Sequence, residues 1–123
     1  MKPELNNQLI TKHEKIFVGG RLRTFECGPG WFSIIDDMAT KLQAHIDASG
    51  CPQVQADQFK EKFGEVRFYY SGGDAKCKEI VAEAVAKSNK TCDFCGEPGE
   101  MQREGWMRVR CETHKNSRWG DLG

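Results

Sequence analysis

Apolar residues recur at helical spacing most clearly between residues 31 and 48. Trp31, Ile34, Ile35, Met38, Leu42 and Ile46 line one face, while Asp36, Asp37, Lys41 and Gln43 point elsewhere, and Gly50 and Pro52 close the segment. A second helix is predicted over 75–89. Cys77, Ile80, Val81, Ala84 and Val85 form its stripe, and Asp74 at the end of a Ser71-Gly72-Gly73-Asp74 loop is placed as its N-cap. Period-two alternation marks residues 65–70 as a strand with Val66, Phe68 and Tyr70 on one face. Weaker patterns predict a short polar helix over 3–15 and a hairpin over 16–26 turning at Gly19-Gly20. They also predict a single helical turn over 57–63 with Phe59 and Phe63 inward.

These elements predict an α+β fold, with two helices on a small antiparallel sheet across residues 1–89. The polar stretch Ser88 to Thr91 then leads into a second lobe, residues 90–123, which carries a different signal. Cys92 and Cys95 form a C-x2-C pair, fifteen residues follow, and Cys111 and His114 form a C-x2-H pair. Structural zinc takes four tetrahedral nitrogen or sulfur ligands and leaves no open position. Two pairs at ligand spacing within 23 residues therefore point to one zinc ion per chain, held by Cys92, Cys95, Cys111 and His114. Gly96 directly after Cys95 suits the sharp turn such a pair needs. The segment Trp106-Met107-Arg108-Val109 suits a hairpin, and Cys111 and His114 are spaced as on the first turn of a helix. That order predicts a treble-clef finger, with a ribbon-like zinc finger as the close alternative. Two disulfides would leave His114 without a role.

Composition narrows the function. The chain has 123 residues with 18 basic and 18 acidic side chains, a balance unlike that of a general nucleic-acid binder. The first fifteen residues lack the apolar core of a signal peptide, and no apolar run approaches the ~20 residues that span a bilayer. A cytoplasmic location is expected, and in a reducing compartment clustered cysteines serve metals more than disulfides. Cys27, Cys51 and Cys77 are odd in number and read as free thiols, Cys77 on a buried helical face.

No catalytic constellation emerges. His13 and His45 are the histidines outside the finger, and no spacing links either to a cysteine. Adjacent Asp36 and Asp37 diverge by about 100° on a helix, so they read as a solvated face rather than a paired acid and base. The glycine pairs lack phosphate-loop spacing. The expectation is a non-catalytic protein that binds a partner protein, with no membrane and no small-molecule substrate. The alternative is a nucleic-acid-binding finger using Arg103, Arg108, Arg110, Lys115 and Arg118. Exposed aromatics such as Trp106 and Trp119 are candidate anchors at a protein contact.

Gly30 and Trp31 at a helix start, the run Lys60, Glu61, Lys62, Phe63, Gly64, Arg67, Phe68 and Tyr69, and the C-x2-C-G-x-P-G…C-x2-H finger form a pattern over roughly residues 28–114. It resembles a group of small proteins of phages, prophages and bacteria. The resemblance implies a phage or mobile-element origin and, since such small proteins often act on host machinery, a host factor as partner. The finger also departs from treble-clef nucleases of the His-metal type: its single histidine is a zinc ligand, and Asn116 alone does not rebuild a hydrolytic site.

Overall fold

The computed structural model describes residues 1–117. Its elements are α1 (Pro3–Lys12), α2 (Glu14–Phe17), β1 (Phe25–Glu26), α3 (Phe32–Ser49), β2 (Gln55–Lys62), β3 (Glu65–Ser71), α4 (Ala75–Ser88), β4 (Glu100–Gln102) and β5 (Arg108–Arg110). A 3-10 turn over Pro29–Trp31 leads into α3. The architecture is α+β. The main sheet has the order β1-β2-β3, and β4 pairs with β5 in a separate antiparallel hairpin.

The two long helices lie where the periodicity places them. α3 buries Ile35, Met38, Ala39, Leu42 and Ile46, and α4 buries Cys77, Ile80 and Ala84. α3 packs along α4, and α4 also meets β3. Asp74 is the N-cap, its carboxylate accepting the Cys77 N–H at 3.1 Å. The adjacent acids diverge as expected: Asp36 takes His13 Nε2 at 2.7 Å, whereas Asp37 takes Lys41 at 3.1 Å.

The sheet is mixed rather than antiparallel: β1 runs parallel to β2, and only β2 and β3 are antiparallel. The hairpin expected over 16–26 is absent. Residues 14–17 are helical, and only Phe25 and Glu26 form a strand. The Gly-Gly pair serves close approach instead of turning. A Cβ at Gly20 would lie 2.0 Å from the Ala56 carbonyl oxygen, which also accepts the Leu22 N–H at 3.2 Å. Residues 57–63 are likewise not a helical turn. They belong to β2 and its end, because β2 is hydrogen-bonded on both sides and the tertiary pairing outweighs a short local periodicity. Phe59 is inward as expected, but Phe63 is 62% exposed.

Phe25, Phe59 and Phe68 face one another directly across the three strands. Their ring centroids lie 5.8 Å and 5.7 Å apart, and Phe17 adds an edge-on contact to Phe25 at 4.9 Å. Cross-strand aromatic rows of this kind pin register, because a slip of one residue would turn every ring to the opposite face. Trp31 closes the core between this sheet and the C-terminal segment. It is fully buried, and its indole N–H donates to the Thr91 carbonyl at 2.9 Å. Trp31→Ala is expected to cost about 3–5 kcal/mol of unfolding free energy in a denaturant titration. A loss below 1 kcal/mol would show that the core closes without it.

Candidate metal centre

The C-terminal segment is shaped by two local turns. After α4, Thr91 pairs with Pro98 in an isolated bridge. Within that loop the Cys92 N–H donates to the Glu97 carbonyl at 2.7 Å, and the Gly96 N–H to the Cys92 carbonyl at 2.9 Å. Gly96 has φ 86°, a left-handed conformation that glycine adopts without strain. The turn brings the Cys92 and Cys95 side chains together. The second pair follows β5. There the His114 N–H donates to the Cys111 carbonyl at 3.2 Å and the Ser117 N–H to the His114 carbonyl at 3.0 Å. These are successive turns where the spacing predicted the start of a helix.

The four expected residues meet. One ligand atom each from Cys92, Cys95, Cys111 and His114 lies within 4.8 Å of the others. Cys95 Sγ and Cys111 Sγ are 3.7 Å apart, and Cys111 Sγ is 3.4 Å from His114 Nδ1. A tetrahedral ion at ordinary zinc–sulfur and zinc–nitrogen distances would set these edges at roughly 3.8 Å and roughly 3.5 Å. The donor set and its edges are therefore those of a site able to hold a metal ion, and they are consistent with zinc. Burial opposes the thiolate at Cys111, but the His114 backbone N–H and the neighbouring thiols outweigh it and draw the group down to about 7. Burial, and then the neighbouring thiols, push Cys95 up to about 11. Of these two thiols, Cys111 is the more readily ionised.

Two residues between the first cysteines support the centre, and ligand spacing alone does not reveal them. The Phe94 ring stacks on His114, with centroids 4.4 Å apart and planes at 23°, and it lies 5.3 Å from the Arg110 guanidinium carbon. Asp93 is fully buried and holds Arg110 Nε at 2.5 Å. Arg110 Nη1 also donates to the carbonyls of His114 and Ser117 at 3.0 Å and 2.5 Å. One guanidinium thereby ties the turn carrying the second ligand pair to the turn carrying the first.

The proposed nucleic-acid contacts fare unevenly. Arg110 is 1% exposed and engaged internally, so it cannot reach a phosphate. An i,i+2 pattern of arginines on a short strand hides this, since Arg108 and Arg110 look alike in sequence. Arg108 is partly buried and donates to the Lys115 carbonyl at 3.2 Å. Lys115 is paired with Glu112 at 2.7 Å. Arg103 is exposed in the hairpin loop, and Arg118 and Trp119 lie outside the described residues.

The segment is seated on the rest of the chain at Gly30. A Cβ there would stand 2.1 Å from the Cys92 carbonyl oxygen, and the Gly30 N–H donates to the Asp93 carbonyl at 2.9 Å. Between β2 and the β4–β5 hairpin runs a crevice of about 380 Å³, walled by Glu26, Lys60, Glu61, Trp106 and Arg108. No family model, curated protein or solved structure matches the chain. Among the described residues no helix is long and apolar enough to cross a membrane.

Removing Arg110 breaks its buried ion pair with Asp93 and its two bonds to the His114 and Ser117 carbonyls. Arg110→Met is expected to destabilise the protein by about 2–4 kcal/mol in a urea titration. An unchanged midpoint would show that Asp93 does not depend on it.

Proposed function

We propose that the chain is a non-catalytic, zinc-stabilised interaction protein that binds a partner protein in the reducing cytoplasm. One structural zinc per chain would be held by Cys92, Cys95, Cys111 and His114. The order turn, hairpin, turn supports a treble-clef reading of this finger, with a ribbon-like finger as the alternative. Four protein ligands close a tetrahedral ion, so the metal organises the lobe and offers no position to a substrate.

One observation carries the binding role. Trp106 is 75% exposed at the tip of the hairpin that runs directly into Cys111. Tryptophan is enriched among the residues that dominate protein interfaces. Phe63 strengthens the case. It is exposed and sits at φ 54° in the β2–β3 turn, where a non-glycine residue carries strain. Such strain is most often retained where the side chain's position matters. The crevice beside Trp106 carries both signs of charge and suits a polar rim around an aromatic anchor. The resemblance to small phage and prophage proteins favours a host protein as that partner.

The nucleic-acid alternative is weakened by the burial of Arg110 and by the pairing of Lys115 with Glu112. Binding through phosphates would fall steeply as salt rises, whereas an aromatic anchor is far less sensitive.

The test is quantitative affinity capture with the full chain as bait, after nuclease treatment, at low and high salt. Cys95→Ser is expected to lose this zinc and with it the captured protein. Trp106→Ala is expected to keep the zinc and lose at least tenfold in capture of that same protein. Capture that survives Trp106→Ala unchanged, or that disappears with nuclease, would sink the proposal.

A further inference from the structure

His45, Cys51, Asp74 and Cys77 come from three separate stretches of the chain. His45 is on the last turns of α3, Cys51 follows that helix, and Asp74 and Cys77 form the start of α4. One donor atom of each lies within 4.8 Å of the other three. His45 Nε2 is 3.0 Å from both carboxylate oxygens of Asp74. A further polar neighbour is Ser49, whose hydroxyl is 3.5 Å from His45 Nε2 and accepts the Cys51 N–H at 3.3 Å. Neither Cys51 nor Cys77 is in a disulfide.

We propose that these four residues form a second metal site, for a divalent cation of the zinc class, clipping the end of α3 to the start of α4. Two thiolates, an imidazole and a carboxylate are a chemically complete tetrahedral set, and the paired sulfurs favour zinc over magnesium or calcium. Separate explanations exist for each half: His45 and Asp74 are hydrogen-bonded, and Cys51 and Cys77 are neighbouring thiols. Neither explains why both pairs occupy one sphere of ligand size. The backbone brings the two loops together independently of those side chains. The Gly73 N–H donates to the Pro52 carbonyl at 2.8 Å, and a Cβ at Gly72 would lie 2.1 Å from the Gln53 carbonyl oxygen. Cys51 is thereby held against the Asp74-x2-Cys77 turn before any ion arrives.

The second site differs from the Cys3His centre in a way that sets its behaviour. Cys77 is fully buried, but the Asp74 side chain is 39% exposed and one of its oxygens already serves the N-cap. A ligand so placed leaves the ion open to water on one side. The site should therefore bind more weakly and exchange faster than the first.

The experiment is native mass spectrometry with elemental analysis, on the full chain purified without a metal-affinity step and then titrated with zinc chloride. Wild type is expected to hold two zinc ions, the second lost first to a chelator. Cys51→Ser and His45→Gln are expected to hold one. Asp74→Asn keeps a good N-cap residue and is expected to hold the second ion at least tenfold more weakly. Circular dichroism on each variant confirms the fold, so that lost metal is not lost structure. Cys95→Ser should also hold one, and there the remaining ion should be removed by adding Cys51→Ser. A wild type with one zinc that survives Cys51→Ser and is lost in Cys95→Ser would overturn the second site and leave the first intact. One zinc that survives Cys95→Ser and is lost in Cys51→Ser would do the reverse. A mass lowered by one proton pair and restored by reductant, with no second ion, would make Cys51 and Cys77 a disulfide and end the proposal.

Discussion

The approach of Gly30 to the Cys92–Gly96 turn is the constraint on which the arrangement rests. No side chain fits between the two backbones, since a Cβ at Gly30 would stand 2.1 Å from the Cys92 carbonyl oxygen. The next residue, Trp31, fills the core on one side of that contact and donates to the Thr91 carbonyl on the other. A single dipeptide therefore starts the main helix, closes the core and seats the turn that carries Cys92 and Cys95. Moving the turn outward by even one methyl group would break the Gly30–Asp93 hydrogen bond and pull Thr91 away from the indole.

Behind the cysteines, a buried charge pair does for the two halves of the cluster what the dipeptide does for the two parts of the chain. Asp93 and Arg110 are both essentially inaccessible to water. Buried ion pairs contribute little net stability, but they penalise every arrangement in which they are parted. Here the penalty falls on conformations that separate Cys92 from Cys111, because each charged residue adjoins one of those ligands in sequence. The pair thus favours the closed geometry of the thiols, and Phe94 stacked on His114 limits how the imidazole can turn.

Much of this was readable from the chain, and the failures share a cause. α3, α4, β3 and the Asp74 cap announced themselves through local periodicity and cap chemistry, and those elements form where local and tertiary preferences agree. The Cys3His set was readable because its ligands fall in two local pairs. What went astray depended on partners far along the chain. Gly19-Gly20 reads as a turn until Ala56 is known to lie against it. Residues 57–63 read as helical because Phe59 and Phe63 are four apart, and nothing local shows that β1 and β3 will flank them. Arg110 reads as a surface cation because its counter-charge lies 17 residues away. The grouping of His45 and Cys51 with Asp74 and Cys77 was hidden in the same way, with only the Asp74-x2-Cys77 spacing as a local sign.

The separation in sequence between Gly30 and Cys92 also bears on how the chain acquires its shape. The four ligands of the C-terminal cluster span 23 residues, so closing them requires only short loops. Seating the closed cluster on Gly30 closes a far longer loop, since α3, β2, β3 and α4 all lie between the two contacts. Contacts of such long range form late and slow the overall rate. During synthesis Gly30 and Trp31 leave the ribosome well before Thr91 and Cys92. Until the last segment emerges, the indole has no carbonyl to donate to and the core lacks its lid. In that interval the apolar surface around the indole stays exposed.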